Sequence, residues 1–380
     1  MKRRWLIGFG LVFVALYTFP YFPELRSANE VPRIFLTQEM VDRQTFQLDA
    51  RWAELQRGST FDVSTTPDGH RYSNKAPGAS FLAVPGYLVL KALKRASGEA
   101  PTLGEITWVC RVSAVTLPAL LFLLAFAAGA RRLGDAGLAL AAYALGSMAL
   151  PYAILFFSHQ IAAAAVGGAF VLALRRGGAL DAVAIGLLLG LGILCDYQAA
   201  LGVAVVGLYF LWRSRSRLRD FVLCVAGGLP PMGALALYHW ACFGAPWRTG
   251  YSFAVDPAQK KGVLGIVGPN AGAVWQGLFA PDNGLFFLSP WILVAIVAGA
   301  ALLGRRDLRK KIGAELIACL AVVGLYLLFI CSTEPEFGRA GWSVGPRYLA
   351  VAIPFAGWLL AAAAGHVRNR VFLTVATAIA

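Results

Sequence analysis

Asn29-Glu30-Val31-Pro32-Arg33 opens, and Ser73-Asn74-Lys75-Ala76-Pro77-Gly78 closes, a polar segment that interrupts an otherwise apolar chain just after its first hydrophobic run. The charged side chains able to act on a substrate are concentrated here and in two later loops. Over the whole chain 58% of residues are hydrophobic, 14% are charged and the mean hydropathy is +0.64, whereas a soluble domain carries about 25% charged residues. The chain therefore reads as a polytopic membrane protein. Its net charge of +14 is spread in short clusters between apolar runs rather than along a stripe, which argues against nucleic acid as a partner.

Working outward from 29–78, apolar runs suited to helices fall near 5–22, 106–129, 136–156, 161–174, 179–195, 197–212, 220–242, 289–304, 312–331 and 347–364. A helix needs about 20 apolar residues to cross the hydrocarbon core, so several are short. The expectation is an all-α, polytopic transmembrane helix bundle of about 10–11 spans. It forms a single integral membrane domain over 1–380, with a large external loop carrying juxtamembrane helices. Lys2-Arg3-Arg4 before the first run reads as the cytoplasmic flank of an uncleaved anchor. Cytoplasmic loops collect Lys and Arg. Placing 23–105 outside makes Arg131-Arg132, Arg175-Arg176, Arg213–Arg219, Arg305–Lys311, Arg368 and Arg370 cytoplasmic. The parity holds only if Ala79–Leu93, broken by Pro85-Gly86, lies in the outer interface instead of spanning. The other external loops are then 243–288 and 331–347. Val371–Ala380 is about half a span long, so either the sequence stops short or the tail docks on the bundle.

No Cys-x-x-Cys pair occurs among Cys110, Cys195, Cys224, Cys242, Cys319 and Cys331, and the histidines lack zinc-ligand spacing. Buried free thiols are expected. Phe35–Asp42 alternates apolar and polar residues at helical spacing, which predicts an amphipathic helix on the bilayer surface with Glu30 and Arg33 at its leading edge. Glu30 is a candidate base or metal ligand there, or a plain complement to the helix dipole. Pro67-Asp68-Gly69 is a turn signal. Lys75, held by a Pro-Gly corner, suits a lipid phosphate, as a snorkelling lysine would.

Asn29-Glu30 after the first run, the surface helix with Glu39-Met40, and the Lys75-Ala76-Pro77-Gly78 turn resemble the GT-C membrane glycosyltransferases, of the protein O-mannosyltransferase and aminoarabinose-transferase type, over about the first half of the chain. The resemblance implies transfer of a sugar from a polyprenyl-phosphate donor, with inversion, to a lipid, protein or glycan acceptor on the external, periplasmic face of a bacterial inner membrane. It departs where those families show Asp followed by Glu: here Asn29 precedes Glu30, and Asn cannot serve as a base. A second acidic residue of the family, in the next external turn, is replaced by Ser158-His159-Gln160.

His159 is accordingly expected as a catalytic partner of Glu30, and both as ligands of a divalent metal ion. Arg33, Lys75, Arg347 and Asp196 are the expected substrate-binding residues. Arg347 follows Gly338-Arg339-Ala340-Gly341-Trp342-Ser343-Val344-Gly345-Pro346 and is costly in lipid unless it meets a polar cavity or the nearby Glu334 and Glu336. Asp196 is a carboxylate at a span end. Trp247, Tyr251, Phe253, Trp275 and Phe279 offer aromatic faces that suit sugars, or form an interfacial belt. Two other classes stay open: a lipid-linked oligosaccharide polymerase or ligase, and a non-catalytic lipid-binding or transport protein.

Overall fold

The protein was described from a computed structural model covering residues 3–20, 25, 27–57, 62–175, 177–253, 265–334 and 344–366. Glu336, Gly338–Ser343 with Arg339 and Trp342, Arg176, Arg368, Arg370 and Val371–Ala380 lie outside these residues. Helices make up 75% of the structure. In chain order they are α1 (Arg3–Thr18), α2 (Val31–Asp42), α3 (Trp52–Arg57), α4 (Gly78–Ala96), α5 (Leu103–Arg111), α6 (Leu117–Leu133), α7 (Ala136–Leu145), α8 (Ala149–Ile154), α9 (His159–Ala173), α10 (Ala179–Cys195), α11 (Ala199–Arg213), α12 (Arg217–Phe243), α13 (Ala271–Val274), α14 (Leu285–Leu288), α15 (Trp291–Leu302), α16 (Arg306–Cys331) and α17 (Ile353–His366). The strands among the described residues are β1 (Val63–Thr65) and β2 (Arg71–Ser73), a small antiparallel hairpin.

Each of the ten apolar runs becomes helix, and the protein is an all-α integral membrane protein. Four helical stretches are long and apolar enough to cross a bilayer: Leu103–Leu133, Arg217–Phe243, Arg306–Cys331 and Arg347–His366. The first is α5 and α6 joined through a π-helical turn, Val112–Thr116, and it starts in a capping box between Thr102 and Glu105. The last is the bundle axis. In it Ile353–Ala364 is buried on every side, and Trp358 lies against Phe126, rings 5.4 Å apart and nearly parallel.

Without a hydrophobic drive between helices in lipid, close backbone approach supplies the packing. A Cβ on Gly186 would sit 1.8 Å from the Cys224 carbonyl oxygen and one on Gly227 2.0 Å from that of Val183, so α10 and α12 meet only because both positions are glycine. All six cysteines are free, four of them buried.

Two expectations change. The run 136–156 is not one helix: the Gly146 carbonyl accepts from Ser289 Oγ at 3.0 Å and Trp291 Nε1 at 2.7 Å, which ends α7 and lets the chain restart as α8. Nor does α2 lie on the bilayer with one face wet, since Val31 through Glu39 are all buried. Its polar side is covered by the loop's own cations, with Glu39 taking Arg51 at 2.8 Å and Arg43 at 3.1 Å. The more exposed surface helix is α4, with Leu88, Val89 and Leu93 facing outward.

Candidate active site

The hairpin does the first part of the assembly. Pro67-Asp68-Gly69 closes it, Gly69 at φ +87° where glycine is favoured, and its register puts Val63 opposite Ser73. Asp62 and Asn74-Lys75 therefore leave the strands side by side. The Asn74 N–H donates to the Asp62 carbonyl at 3.2 Å, and Lys75 Nζ reaches Asp62 Oδ1 at 2.7 Å. Tyr238 Oη donates to the Ser73 carbonyl at 3.1 Å and Ser64 Oγ to that of Gly250 at 2.5 Å, tying the hairpin to α12 and the following loop.

The corner after Lys75 then docks on the end of α10. A Cβ on Gly78 would lie 2.6 Å from Cys195 Sγ and 2.7 Å from the Leu194 carbonyl oxygen. Asp196 follows directly, ending that helix, and its Oδ2 meets His159 Nδ1 at 2.5 Å. From α2, Arg33 donates through Nη1 to the Asn29 carbonyl at 2.7 Å and to Asn29 Oδ1, and through Nη2 to Ser158 Oγ at 3.1 Å. Asn29 Nδ2 in turn donates to Asp62 Oδ2 at 2.9 Å. Arg347 enters from the 3-10 turn before α17, its guanidinium 5.2 Å from the Tyr348 ring. The Tyr251 ring lies 5.5 Å from Lys75 Nζ.

Arg33, Lys75, His159, Asp196 and Arg347, far apart in sequence, thus converge at one pole of the bundle. Asp62 joins them. Burial pulls the Arg33 guanidinium down, partly offset by Asp62 and Asp196, while Arg347 adds repulsion. Burial opposes the charge on Lys75 most strongly, yet the Asp62 carboxylate together with Tyr251 and Tyr348 holds the ammonium above the ordinary lysine range. Asp62 mirrors this: burial would raise it, but Lys75, Arg347 and Arg33 keep it below the usual carboxylate range. Burial pushes the Tyr251 phenol up to about 12, so it stays protonated.

Among the described residues, three cations, Arg33, Lys75 and Arg347, face two carboxylates, Asp62 and Asp196, leaving one positive charge in excess. Among the described residues, buried Arg33 Nε, Arg347 Nε and His159 Nε2 have no hydrogen-bond partner. Buried polar atoms are almost always satisfied, so three unpartnered nitrogens in one cluster mark it as a candidate binding site.

Glu30 sits apart from this arrangement. Arg111 grips its carboxylate with Nε at 2.8 Å and Nη2 at 2.9 Å, and the Phe156 N–H adds a third bond at 2.6 Å. Glu30, expected as a candidate base, is thus engaged on both carboxylate oxygens, and it ties α2 to α5 and to the α8–α9 link. The divalent-ion site expected of Glu30 and His159 fares similarly. Among the described residues no three His, Cys, Asp or Glu side chains gather, Glu30 is held by Arg111 and His159 Nδ1 by Asp196, so the residues present do not fit that ion.

Asp62 and Arg111 escaped the sequence reading, and Tyr251 was read there only as one of several aromatic faces. Val63-Ser64-Thr65 before the Pro67-Asp68-Gly69 turn was the signal for Asp62, because a hairpin there pairs it with Lys75. An arginine inside an apolar run demands an acidic partner, which was the signal for Arg111.

No protein-family model and no curated protein matches the sequence. Solved structures do match. ArnT from Cupriavidus metallidurans bound to undecaprenyl phosphate aligns at a TM-score of 0.56 and 14% identity, covering 98% of this chain and 62% of that one. Its apo form gives 0.57 and 15% over 97% and 61%. The apo Archaeoglobus fulgidus oligosaccharyltransferase gives 0.50 and 14% over 94% and 50%. The chain shares the fold of these structures. It spans about six-tenths of the ArnT chain and half of the oligosaccharyltransferase, and at these identities the likeness carries architecture alone.

Proposed function

We propose that the protein is a membrane glycosyltransferase that moves a sugar from a polyprenyl-phosphate donor to an acceptor hydroxyl or amine, with inversion at the anomeric carbon. The observation that carries this is the pair of buried, acceptorless guanidinium nitrogens, Arg33 Nε and Arg347 Nε, beside Lys75. A lipid phosphodiester brings one negative charge and the oxygens these donors need. The one excess positive charge of the cluster matches it. The binding of undecaprenyl phosphate by ArnT, which shares the GT-C fold, supports the same reading.

In the proposed step the acceptor oxygen or nitrogen attacks the anomeric carbon as the bond from that carbon to the phosphate oxygen breaks. The electron pair leaves with the polyprenyl phosphate, whose growing charge Arg33, Lys75 and Arg347 neutralise. The acceptor's proton passes to His159 Nε2. That nitrogen carries the lone pair because Nδ1–H is engaged by Asp196, which holds the ring in one tautomer. Asp62 shares Lys75 with the phosphate and keeps the site from binding the anion too tightly to release it. Glu30 is a positioning residue, keeping Asn29 and Arg33 in place.

In this reading the cluster faces the external, periplasmic side of an inner membrane. Supporting this, the arginine-rich helix ends gather at the opposite pole, where Arg132 bonds the Leu174 carbonyl and Arg305 that of His366. The test is native mass spectrometry of the purified protein titrated with undecaprenyl phosphate, followed by incubation with undecaprenyl phosphate-linked hexoses and pentoses. One-to-one binding that weakens in Arg347→Ala, together with release of undecaprenyl phosphate from a donor, is expected. Equal binding by both proteins would overturn the reading.

A further inference from the structure

On the other side of α2 from the charged cluster lies a cavity of about 580 Å³ between α2, α3 and the start of α5. Its floor is apolar, formed by Val31, Phe35 and Ile106, and Leu103 at its edge is 44% exposed on the outer face of α5. Three polar side chains reach it with unmet bonding capacity. Gln38 is 94% buried (6% exposed), and its Oε1 has no partner among the described residues. Glu54 Oε2 is buried and likewise lacks a partner, while its Oε1 stands 3.5 Å from Arg51. Arg57 has no ion pair among the described residues, its Nε making one long bond to the Ala53 carbonyl at 3.3 Å. The other lining cation, Arg51, is already held by Glu39 at 2.8 Å.

Two acceptors without donors and a cation without an anion call for a zwitterion. Glu54 and Arg57 stand three residues apart on α3, so their side chains lie on one face with Cβ atoms about 5–6 Å apart, the reach of an ethanolamine arm. Arg51 bridges Glu39 and Glu54, which leaves Arg57 for the phosphate and the open oxygens of Glu54 and Gln38 for the ammonium. The apolar floor and the outward face of Leu103 give its acyl chains a path to the bilayer.

We infer that this cavity is a binding site for the phosphoethanolamine headgroup of a membrane phospholipid, with the ammonium on Gln38 Oε1 and Glu54 Oε2 and the phosphate on Arg57. The site is separate from the proposed transfer reaction and stands if that reading falls. Choline headgroups have no N–H to offer the two acceptors, and glycerol headgroups carry no cation for Glu54, so the site discriminates by donor count as well as by charge.

The test reconstitutes the full chain in bilayers holding equal parts of phosphatidylethanolamine, phosphatidylcholine and phosphatidylglycerol, and reads the lipids retained by native mass spectrometry after delipidation. Phosphatidylethanolamine should be retained at least about ten-fold over phosphatidylcholine, a difference of about 1.4 kcal/mol. Gln38→Leu, Glu54→Ala and Arg57→Ala should each erase most of that preference while undecaprenyl phosphate binding, read in the same spectra, is kept and shows that the variants are folded. Soluble phosphoethanolamine should not displace the lipid at millimolar concentration. Equal retention of the three lipids, or a preference unchanged in Gln38→Leu and Glu54→Ala, would overturn the inference, and displacement by the soluble headgroup would remove the lipid from it.

Discussion

Two buried charge clusters sit within the same pole of the molecule and behave in opposite ways. Between Glu30 and Arg111 every carboxylate oxygen is matched, by a two-pronged guanidinium and by the Phe156 N–H. Around Asp62 and Lys75, among the described residues, positive charge is in excess, and Arg33 Nε, Arg347 Nε and His159 Nε2 face no partner. Burying ions costs several kcal/mol each and is tolerated only when geometry or function repays it. The closed cluster is repaid by its own hydrogen bonds. The open one lacks that internal repayment, which is why the first reads as architecture and the second as a candidate site.

The largest expected effect tests the open cluster. His159→Gln keeps a polar side chain but loses the paired imidazole, so transfer measured by release of undecaprenyl phosphate should fall by about 10²–10⁴-fold while binding of the lipid stays within two- to three-fold, roughly the scatter of such measurements. Next comes the closed cluster. Glu30→Ala strands the Arg111 guanidinium and should cost about 3–5 kcal/mol of stability, read by unfolding in mixed detergent, whereas Arg347→Ala should leave that curve nearly unmoved. A Glu30→Ala protein that folds normally would erase the distinction between the clusters.

Smaller effects sharpen the comparison. Lys75→Ala removes a charge-assisted contact and should weaken undecaprenyl phosphate by about 1.5–3 kcal/mol. Asp62→Asn should do the reverse and tighten it a few-fold, roughly the scale of a screened partly buried charge, since it frees Lys75 for the phosphate. Removing a carboxylate thus weakens one cluster and strengthens ligand binding in the other.

The smallest effect is that of pH. The depressed Asp62 contributes stability above its ordinary value near about 3.9 and loses it as acid drives pH through the lower folded value. The raised Lys75 contributes below its ordinary value near about 10.4 and loses it as pH climbs through the higher folded one. Lipid binding should therefore stay flat between about pH 5 and 9 as far as this pair is concerned, and a step in that range that vanishes in Asp62→Asn would contradict the pairing.

Much of the architecture was written in the chain. Ten apolar runs became helix. Arg347 and Asp196 stood out because charge at the rim of a membrane bundle needs a reason, Arg33 and Lys75 by their place in the polar segment, and His159 through the family resemblance. What stayed hidden depended on pairing. Whether α2 lies on the bilayer or inside the protein is decided by Arg43 and Arg51 closing over Glu39, which no helical periodicity reports. The break at Gly146 comes from Ser289 and Trp291 on a distant helix. Asp62 became visible only once the hairpin register fixed who stood beside Lys75, and Glu30 changed role once Arg111 arrived from another element.

Gly78 has a mechanical consequence. With no room for even a methyl group between that residue and Leu194–Cys195, the Lys75 corner and the Asp196–His159 couple share a single hinge-free joint. They translate together. The spacing between the Lys75 ammonium and the His159 ring is therefore set like two jaws cut from one block, and any ligand that spans them must fit that gauge.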